Sequence, residues 1–383
     1  MTTMTTHTDL YNTVYIDCAA LQHNFQALQA VVTPRVRLLA MVKSDAYGHG
    51  LVHSAKALSE TGANAFGIAE VDEGVALREA GIQGDIFVFL GSYCFAELIE
   101  YGLTPVVFDL NNIRALSAYA EKRNTTVAVH LKIDTGMGRL GVMPDEISLY
   151  IDEITKLPGV SLAGVLSHFP MADQPDSPTT MNQNVLFDQE CDNLNSKGAF
   201  LPKGTYHIAN SAALLNFPET RHQMVRPGIS LYGCYPSVDP ALRNVVSLKP
   251  VMSFATKIVQ LKTVPADYGV SYGHLSRTAR PSRLAILPVG YADGYLRSLT
   301  GKASVIVRGQ RAPVCGRVCM NATVVDVTDI SAAEVGDEVV LMGSQAFADH
   351  SAVITADEIA GWMETINYEV LCLFGNSNQR IYR

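Results

Sequence analysis

Residues 36–50 read VRLLAMVKSDAYGHG, an apolar run that ends in Lys43 and passes into a polar loop with glycines. The run predicts a buried β-strand. At the end of such a strand a charged ammonium loses hydration, which lowers the pKa of the amine and favours the free amine that a Schiff-base lysine needs. A lysine that simply reaches water past Ser44 and Asp45 is the alternative. The rest of the chain favours the reactive lysine.

Similar apolar runs recur up to about residue 245 and alternate with amphipathic stretches. Near-continuous apolar strands separated by helices are typical of a parallel sheet covered on both faces. Eight such units in this length predict a (β/α)8 barrel, with an open doubly wound sheet as the alternative. The predicted strands are 36–42, 64–69, 85–90, 104–108, 126–133, 160–166, 204–208 and 224–231. The predicted helices include 51–60, 71–80, 110–122, 143–156 and 184–197.

After about residue 247 the pattern changes to short, partly alternating runs separated by Gly, Pro and Asp, which predicts a mostly antiparallel β domain. Within it, TADEIAGWMETI predicts one helix capped by Thr355. INYEVLCLF, residues 366–374, is predicted as a last strand. The expected domains are therefore a barrel over residues 1–245 and a β domain over 246–383, with the first ten residues packed with the β domain.

Size and composition narrow the class of protein. The chain has 383 residues, which suggests two domains, and a net charge of −8 without a basic stripe, which argues against a nucleic-acid partner. No run of 18 apolar residues is present, so we expect no membrane span. The first ten residues have neither a basic start nor an apolar core, and the seven scattered cysteines suggest reduced thiols. We therefore expect a cytoplasmic enzyme.

Several polar residues follow the predicted barrel strands, where barrel enzymes carry their functional groups. Because cationic or imidazole groups end several of these strands, an anionic ligand is expected. The candidates are Lys43 and Tyr47 after the first strand, Lys132 and Arg139 at the fifth, Ser167 and His168 at the sixth, His207, Asn210 and Ser211 at the seventh, and Arg226, Gly228 and Ile229 at the eighth.

The last two strands suggest a phosphate site, which barrels often hold between the seventh and eighth loops. Ser211 can begin a short helix whose N–H groups face an anion, and Gly228 allows close approach of the backbone. A purely structural turn is the alternative for each motif taken alone. A reactive lysine together with a phosphate pocket indicates pyridoxal 5′-phosphate (PLP).

The partner of the pyridine nitrogen then indicates the reaction. If that partner is Arg226, the nitrogen stays unprotonated, because guanidinium does not release its proton near neutral pH. An unprotonated ring is a weaker electron sink, so charge stays closer to Cα. Reprotonation at Cα, and hence racemisation, is favoured over transamination.

Three other motifs are weaker. GMGRLG at 136–141 fits a dinucleotide-binding pattern, but no acidic residue follows about 20 positions later. His49 and His53 have helical spacing without the glutamate of a zinc protease. Cys315 and Cys319 lack a second pair of ligands. No metal site is expected.

The motifs taken together resemble one family. VKSDAYGHG, KIDTGMGRLG, HIANSAA, VRPGISLYG, GVSYG, VGYADGY, GRVCM and TINYEV are similar, in order and over nearly the whole chain, to alanine racemases, the fold-type III PLP enzymes. That family also has a barrel followed by a β domain. The resemblance implies a homodimer with shared active sites that interconverts L- and D-alanine and supplies D-alanine for peptidoglycan.

The resemblance also assigns roles to residues. Lys43 is implied to hold the cofactor and to act as the base on the D side, and Tyr272 of the partner subunit to act as the base on the L side. The cofactor contacts implied are Tyr47, Ser211, Gly228, Ile229 and Tyr368 for the phosphate, Arg226 for the pyridine nitrogen, with Asn210 in the same loop, and His168 and His207 as neighbours of Arg226. The substrate side is implied to comprise Arg139, oriented by a carbamylated Lys132, with Cys319 and Met320 from the partner subunit and Tyr291 at the entrance.

Two opposed bases are what a racemase needs, since it must remove a proton from one face and return it to the other. Each positioned base typically contributes about 10²–10⁴-fold. The sequence departs from many relatives at Asn321, where an aspartate is common. A broader serine/alanine racemase stays open, as do, less favoured, a fold-type III decarboxylase and a PLP carrier protein without catalysis.

Overall fold

The computed structural model describes residues 11–196, 205–237 and 241–383. These residues form two compact units. Of the described residues, those within Ala20–Ala46 and Leu51–Lys249 form the barrel unit, and those before Ala20, with Tyr47–Gly50 and Pro250–Arg383, form the β unit. The sequence did not predict that Tyr47–Gly50 would belong to the β unit. The expected packing of the first ten residues falls outside the described residues.

The barrel unit contains the predicted parallel strands. Seven of them form one sheet in sequence order: Ala40–Met41, Ala65–Ile68, Asp85–Val88, Thr104–Val107, Val127–Lys132, Val160–Leu166 and Thr205–His207. An eighth strand, Met224–Val225, pairs in parallel with Arg37–Leu38, one residue before the first strand of the sheet. The N–H of Arg226 donates to the carbonyl of Ala209 (2.9 Å), which joins the eighth strand to the end of the seventh. The pairing thus returns to the first strand, which confirms the barrel and excludes the open doubly wound sheet.

Helices connect these strands, and most of the predicted ones are present. They are Cys18–Val31, Leu51–Glu60, Val71–Glu79, Phe95–Glu100, Leu110–Glu121, Ile147–Ile154, Thr179–Ser196, Ser211–Asn216 and Leu242–Val245, with 3-10 turns at Pro144–Glu146, Pro218–Thr220 and Ile229–Tyr232. The helix predicted at 184–197 begins earlier, just after Pro178, whose carbonyl accepts from the N–H of Asn182. Proline suits a first helical turn, but the polar residues that follow it hide the helical period.

The β unit is mostly antiparallel, as predicted. Its strands are Thr13–Ile16, Met252–Lys257, Gln260–Val264, Gly269–Val270, Ser276–Arg277, Ser282–Leu287, Ser304–Val307, Gln310–Pro313, Thr323–Asp326, Glu338–Phe347, His350–Ile354 and Gln379–Tyr382, with 3-10 turns at Tyr272–His274, Tyr291–Asp293 and Arg297–Leu299. Thr13–Ile16 pairs with Met252–Lys257 in antiparallel and with Gln379–Tyr382 in parallel register.

The C-terminal end of the β unit corrects one prediction. The helix Ala356–Met363 is present, and the Thr355 side chain caps it by accepting from the N–H of Glu358. Residues 366–374, predicted as a strand, belong instead to the helix Asn367–Ser377. Its buried residues Val370, Leu371 and Phe374 have helical spacing, and the aromatic and β-branched residues around them favoured the wrong prediction.

Candidate active site

Lys43 lies in an unusual turn at the end of the first barrel strand. The next residues, Ser44, Asp45 and Ala46, have φ angles of 56°, 53° and 54°, a left-handed conformation that costs L-residues roughly 1–2 kcal/mol each. The Asp45 carboxylate holds the turn by accepting from the N–H of Leu51 (2.6 Å). Backbone strain of this kind is found mainly where the direction of a side chain matters, and here it follows directly after the half-buried Lys43.

The terminal nitrogens of Arg226 make five hydrogen bonds to described residues of the barrel unit. Arg226 is 4% exposed and follows the eighth strand. Its two terminal nitrogens donate to the carbonyls of Ser167 (2.7 Å), His207 (2.9 Å) and Ile208 (3.0 Å), and to Nδ1 of His207 (3.2 Å) and of His168 (3.1 Å). The third nitrogen of the guanidinium, Nε, donates its N–H to no described residue. Burial lowers the pKa of Arg226 to about 9, so the guanidinium is still protonated at neutral pH.

These hydrogen bonds determine which ring nitrogen of each histidine carries the proton. Arginine can only donate, so Nδ1 of His168 and Nδ1 of His207 are both acceptors. Burial, and next to it the charge of Arg226, holds the pKa of each imidazole well below its usual value. Each ring is therefore neutral and carries its proton on Nε2. In particular, His168 has an Nε2–H available as a donor.

Lys132, on the fifth strand, is a buried lysine among cations. Burial, followed by the charges of Arg226 and Arg139, lowers its pKa to about 7. Lys43 adds a smaller effect in the same direction, and Asp134 opposes it. The structure thus brings these four cationic side chains together, and a substantial fraction of Lys132 is neutral amine near pH 7.

The loop that carries Arg139 is organised by Asp134. Its carboxylate accepts the N–H groups of Gly136 (3.0 Å), Met137 (2.7 Å), Gly138 (3.1 Å) and Arg139 (3.1 Å). Burial alone would raise the pKa of Asp134, but these bonds outweigh it and lower the pKa. The carboxylate is occupied by the backbone, and Arg139 is left exposed without a hydrogen bond or ion pair from its guanidinium to a described residue.

The loops after the seventh and eighth strands meet, as the phosphate prediction requires. The Ser211 hydroxyl accepts from the N–H of Gly228 (2.9 Å). No described group accepts the N–H of Ile229. Asn210 caps the helix Ser211–Asn216 and donates from its amide to the carbonyl of Phe169 (3.2 Å), so its side chain joins two loops.

In the β unit, the candidate residues form two further groups, one containing Tyr47 and Tyr368 and the other around Tyr272. The rings of Tyr47 and Tyr368 lie 6.0 Å apart between centroids, and burial, with the neighbouring Tyr368, raises the pKa of Tyr47. Their assignment to a phosphate stays a prediction.

The second group forms a surface around Tyr272. Ser271 donates to the carbonyl of Arg317 (2.7 Å) and lies 3.3 Å from Sγ of Cys319. The carbonyl of Cys319 accepts from the N–H of Tyr291 (3.1 Å), and that of Met320 from Ala292 (3.0 Å). The side chains of Tyr272, Tyr291 and Met320 are exposed by 70%, 40% and 56%. We call Tyr272, Leu275, Tyr291, Cys319 and Met320 the Tyr272 surface.

One residue of the site escaped the sequence analysis. His130, on the fifth strand, is 3% exposed and its Nδ1 lies 2.9 Å from Nε2 of His207. A sequence signal was available: His130 and Lys132 are two residues apart on one strand and so point to the same face.

The donor set fits PLP. Nε–H of Arg226 suits the lone pair of a pyridine nitrogen, the loops of Ser211 and Ile229 offer donors for a phosphate, and Lys43 offers an amine for the aldehyde. Among the described residues, no cluster of His, Cys, Asp or Glu is arranged to bind a metal ion. None of the helices in the described ranges has the length and hydropathy to cross a bilayer.

Comparisons with known proteins show similarity to alanine racemases over nearly the whole chain. The family models described as "Alanine racemase, N-terminal domain" and "Alanine racemase, C-terminal domain" match residues 16–236 and 251–382. The curated alanine racemase of Halothermothrix orenii is 42% identical over 371 residues, 96% of each chain. The solved alanine racemase of Streptomyces lavendulae has a TM-score of 0.91 at 36% identity and covers 98% of both chains. That of Bartonella henselae, solved with covalently bound pyridoxal phosphate, has a TM-score of 0.86 at 26% identity, over 98% of this chain and 100% of that chain.

Proposed function

Because the chain belongs to the alanine racemase family, and is therefore an isomerase, we propose that it uses PLP to interconvert L- and D-alanine with one base on each face of the substrate. The bonding of Arg226 is the observation that carries the proposal. Its protonated guanidinium can give a hydrogen bond but has no lone pair to accept one, so a pyridine nitrogen opposite Nε gains no proton. When bound, PLP withdraws electrons from the Cα of the attached amino acid, and it does so less strongly with an unprotonated ring, which favours return of the proton to Cα.

We assign the two bases to Lys43 and to Tyr272 of the partner subunit. Lys43 takes the Cα proton of D-alanine, and Tyr272 takes that of L-alanine; in each direction the other residue returns a proton. Tyrosine has a reference pKa of about 10, so it needs a donor or a positive charge to act as a base near neutral pH. The Nε2–H of His168, fixed by Arg226, is the donor that we propose for its phenolate.

The exposure of the Tyr272 surface supports a shared site. Tyr272, Leu275 and Met320 are 70%, 61% and 56% exposed. Large apolar side chains grouped in this way mark interaction surfaces, and a second copy of this chain would cover them. We therefore propose a homodimer in which each active site is completed by the partner.

Lys132 is proposed to carry a carbamate. Its neutral amine would bond to the carbon of CO₂ and release one proton to solvent, which leaves one negative charge beside Arg139 and Arg226. The low pKa of Lys132 supports this step, because only the neutral amine reacts. A mass increment of one CO₂ that disappears on acidification, and that is missing in Lys132→Ala, would support the carbamate; an unmodified Lys132 in active enzyme would exclude it.

Substrate breadth and cellular role are narrower proposals. We propose alanine as the main substrate, D-alanine supply for peptidoglycan as the role and the cytoplasm as the location. The broader serine/alanine racemase stays the alternative, because a pocket that accepts a methyl group rejects an added hydroxyl by only about 10². A decarboxylase is disfavoured, because its pyridine nitrogen would be expected to face a carboxylate, whereas the eighth strand of this chain offers Arg226.

The decisive experiment is exchange of the Cα proton in deuterium oxide, followed separately from L- and D-alanine. We expect Lys43→Ala to lose exchange mainly from D-alanine and Tyr272→Phe mainly from L-alanine, by about 10²–10⁴-fold. Equal losses from both enantiomers in both variants would reject the two-base assignment. Borohydride trapping should label Lys43 in the wild type.

Matched controls are available in the same chain. Lys262→Ala removes a lysine of the β unit, and Tyr268→Phe removes the hydroxyl of another exposed tyrosine. Both should exchange like the wild type. If Tyr268→Phe mimics Tyr272→Phe, the effect comes from the surface in general and not from one phenol.

A further inference from the structure

A chain of hydrogen bonds leads from Arg226 into the interior of the barrel. Arg226 donates to Nδ1 of His207 (3.2 Å), and Nε2 of His207 lies 2.9 Å from Nδ1 of His130. Arg226, His207 and His130 are 4%, 0% and 3% exposed. A buried polar chain of this kind is costly unless each member is satisfied, so its proton order matters.

Only one order of protons satisfies both bonds. Since Arg226 must donate, Nδ1 of His207 is an acceptor, and a neutral imidazole then carries its proton on Nε2. That proton points at Nδ1 of His130, which must accept it. Burial lowers the pKa of His130 to about 3, so His130 is neutral and can accept. The protons therefore run from Arg226 to His207 to His130.

The fold makes room for this acceptor. His130 on the fifth strand pairs with Gly164 on the sixth, and a Cβ at Gly164 would lie 2.2 Å from Cε1 of the His130 ring. The ring of Phe87 packs edge-on against the imidazole, with the two ring centroids 4.9 Å apart. The position of the imidazole is thus fixed by neighbours that leave it little freedom.

We propose that His130 is a positioning residue of the racemase site: by accepting Nε2–H of His207 it keeps Nδ1 of His207 as the acceptor that aims Arg226. Without that acceptor, His207 has a buried donor unsatisfied, and its other tautomer would place an N–H against the guanidinium. Arg226 would then lose one of the bonds that orient it. The effect on turnover rests on the proposed function, whereas the tautomer of His207 does not.

A matched pair of variants separates the hydrogen bond from packing. His130→Asn and His130→Leu have side chains of the same shape, and only asparagine can place an acceptor at the δ position. Both remove the same part of the ring. We expect kcat of His130→Leu to fall roughly 10- to 100-fold below that of His130→Asn, with similar KM, the range expected when one buried hydrogen-bond partner is lost.

Solid-state ¹⁵N spectra of histidine-labelled holoenzyme supply the second readout. His207 should be protonated on Nε2 in the wild type and in His130→Asn, and should show a mixture of tautomers in His130→Leu. Equal kcat values and equal spectra for the two variants would overturn the proposal. So would a wild-type His207 protonated on Nδ1, a result that needs no variant to fold. If the wild type did not racemise alanine, the proposed function would fail while the tautomer result stood by itself.

Discussion

The cluster around Arg226 and the Tyr272 surface are built in opposite ways. Arg226 is 4% exposed, and its terminal nitrogens bond to three carbonyls and two imidazoles of the same unit. Tyr272 is 70% exposed on a short 3-10 turn. The terminal nitrogens of Arg226 find their hydrogen-bond partners within the barrel unit, whereas the side chain of Tyr272 is largely exposed. Half of the proposed chemistry is therefore fixed within one chain, and the other half depends on a second copy.

The largest effect should come from mixing two inactive variants. Lys43→Ala and Tyr272→Phe are each expected to be nearly inactive. In a mixed dimer, one site has the wild-type Lys43 of one chain and the wild-type Tyr272 of the other. Random exchange makes about half of the dimers mixed, each with one intact site, so activity should recover to about a quarter of wild type. Steady-state racemisation after subunit exchange measures it.

The matched control uses two residues of the barrel unit. Mixing Lys43→Ala with Arg226→Lys leaves no site with both groups intact, so no recovery is expected. Recovery in this second mixture, or none in the first, would contradict the division between a self-contained cluster and a shared surface.

A smaller effect, on both kcat and the free energy of unfolding, is expected when every chain carries Arg226→Lys. Lysine keeps the charge but cannot replace the fork of donors, so several buried acceptors lose their partners. We expect kcat to fall on the order of 100-fold and the free energy of unfolding to fall by about 2–4 kcal/mol. Denaturant unfolding and steady-state kinetics measure both.

The control for this loss is Arg280→Lys. Arg280 is an exposed arginine paired with Asp329, and its replacement should change the unfolding free energy by less than about 1 kcal/mol. Tyr272→Phe should likewise leave stability unchanged. An Arg226→Lys variant as stable as Arg280→Lys would mean that the buried bonds are not what holds the cluster.

The sequence predicts the barrel well because each strand is a short apolar run with polar residues at its end. For the same reason His168, His207 and Arg226 could be assigned to one mouth before any geometry was known. The Asn367–Ser377 helix was missed because aromatic and β-branched residues favour strands locally, whereas the burial of Phe374 is decided by packing.

Other features have no local signal at all. The left-handed turn at Ser44–Ala46 contains no glycine, and it depends on Asp45 accepting from Leu51. The bond between His130 and His207 joins residues 77 positions apart and depends on strand register. Pattern and spacing cannot show such contacts, because a register shift of one residue would remove them.

The loop that carries Arg139 is intermediate between the buried Arg226 cluster and the exposed Tyr272 surface. The side chain of Arg139 is exposed, but its backbone N–H donates to Asp134. Asp134→Asn removes the negative charge of the carboxylate that accepts four backbone N–H groups. We expect KM for alanine to rise roughly threefold to tenfold and the free energy of unfolding to fall by about 1–2 kcal/mol. Asp152→Asn, on an exposed helix position, is the control and should change neither.

The difference in unfolding free energy between wild type and Asp134→Asn should depend on pH with a definite sign. The pKa of Asp134 is lower in the folded than in the unfolded chain, so the charge stabilises the fold above the unfolded value of about 4. The advantage of wild type over Asp134→Asn should be full at neutral pH and should disappear as pH falls through the folded pKa. An advantage that grows on acidification would contradict the assignment.

The smallest effect is expected at Asn321, next to Met320 on the exposed side of the comparison. Asn321→Asp introduces a negative charge beside Met320, but the position is exposed and water screens the charge. Stability should change by less than about 0.5 kcal/mol, and KM by less than about threefold, with the KM change disappearing at high salt. Asn321→Gln is the neutral control. A large, salt-insensitive change in kcat would show instead that this position is desolvated in the proposed dimer, and that the surface around Tyr272 is as closed there as the Arg226 cluster is within one chain.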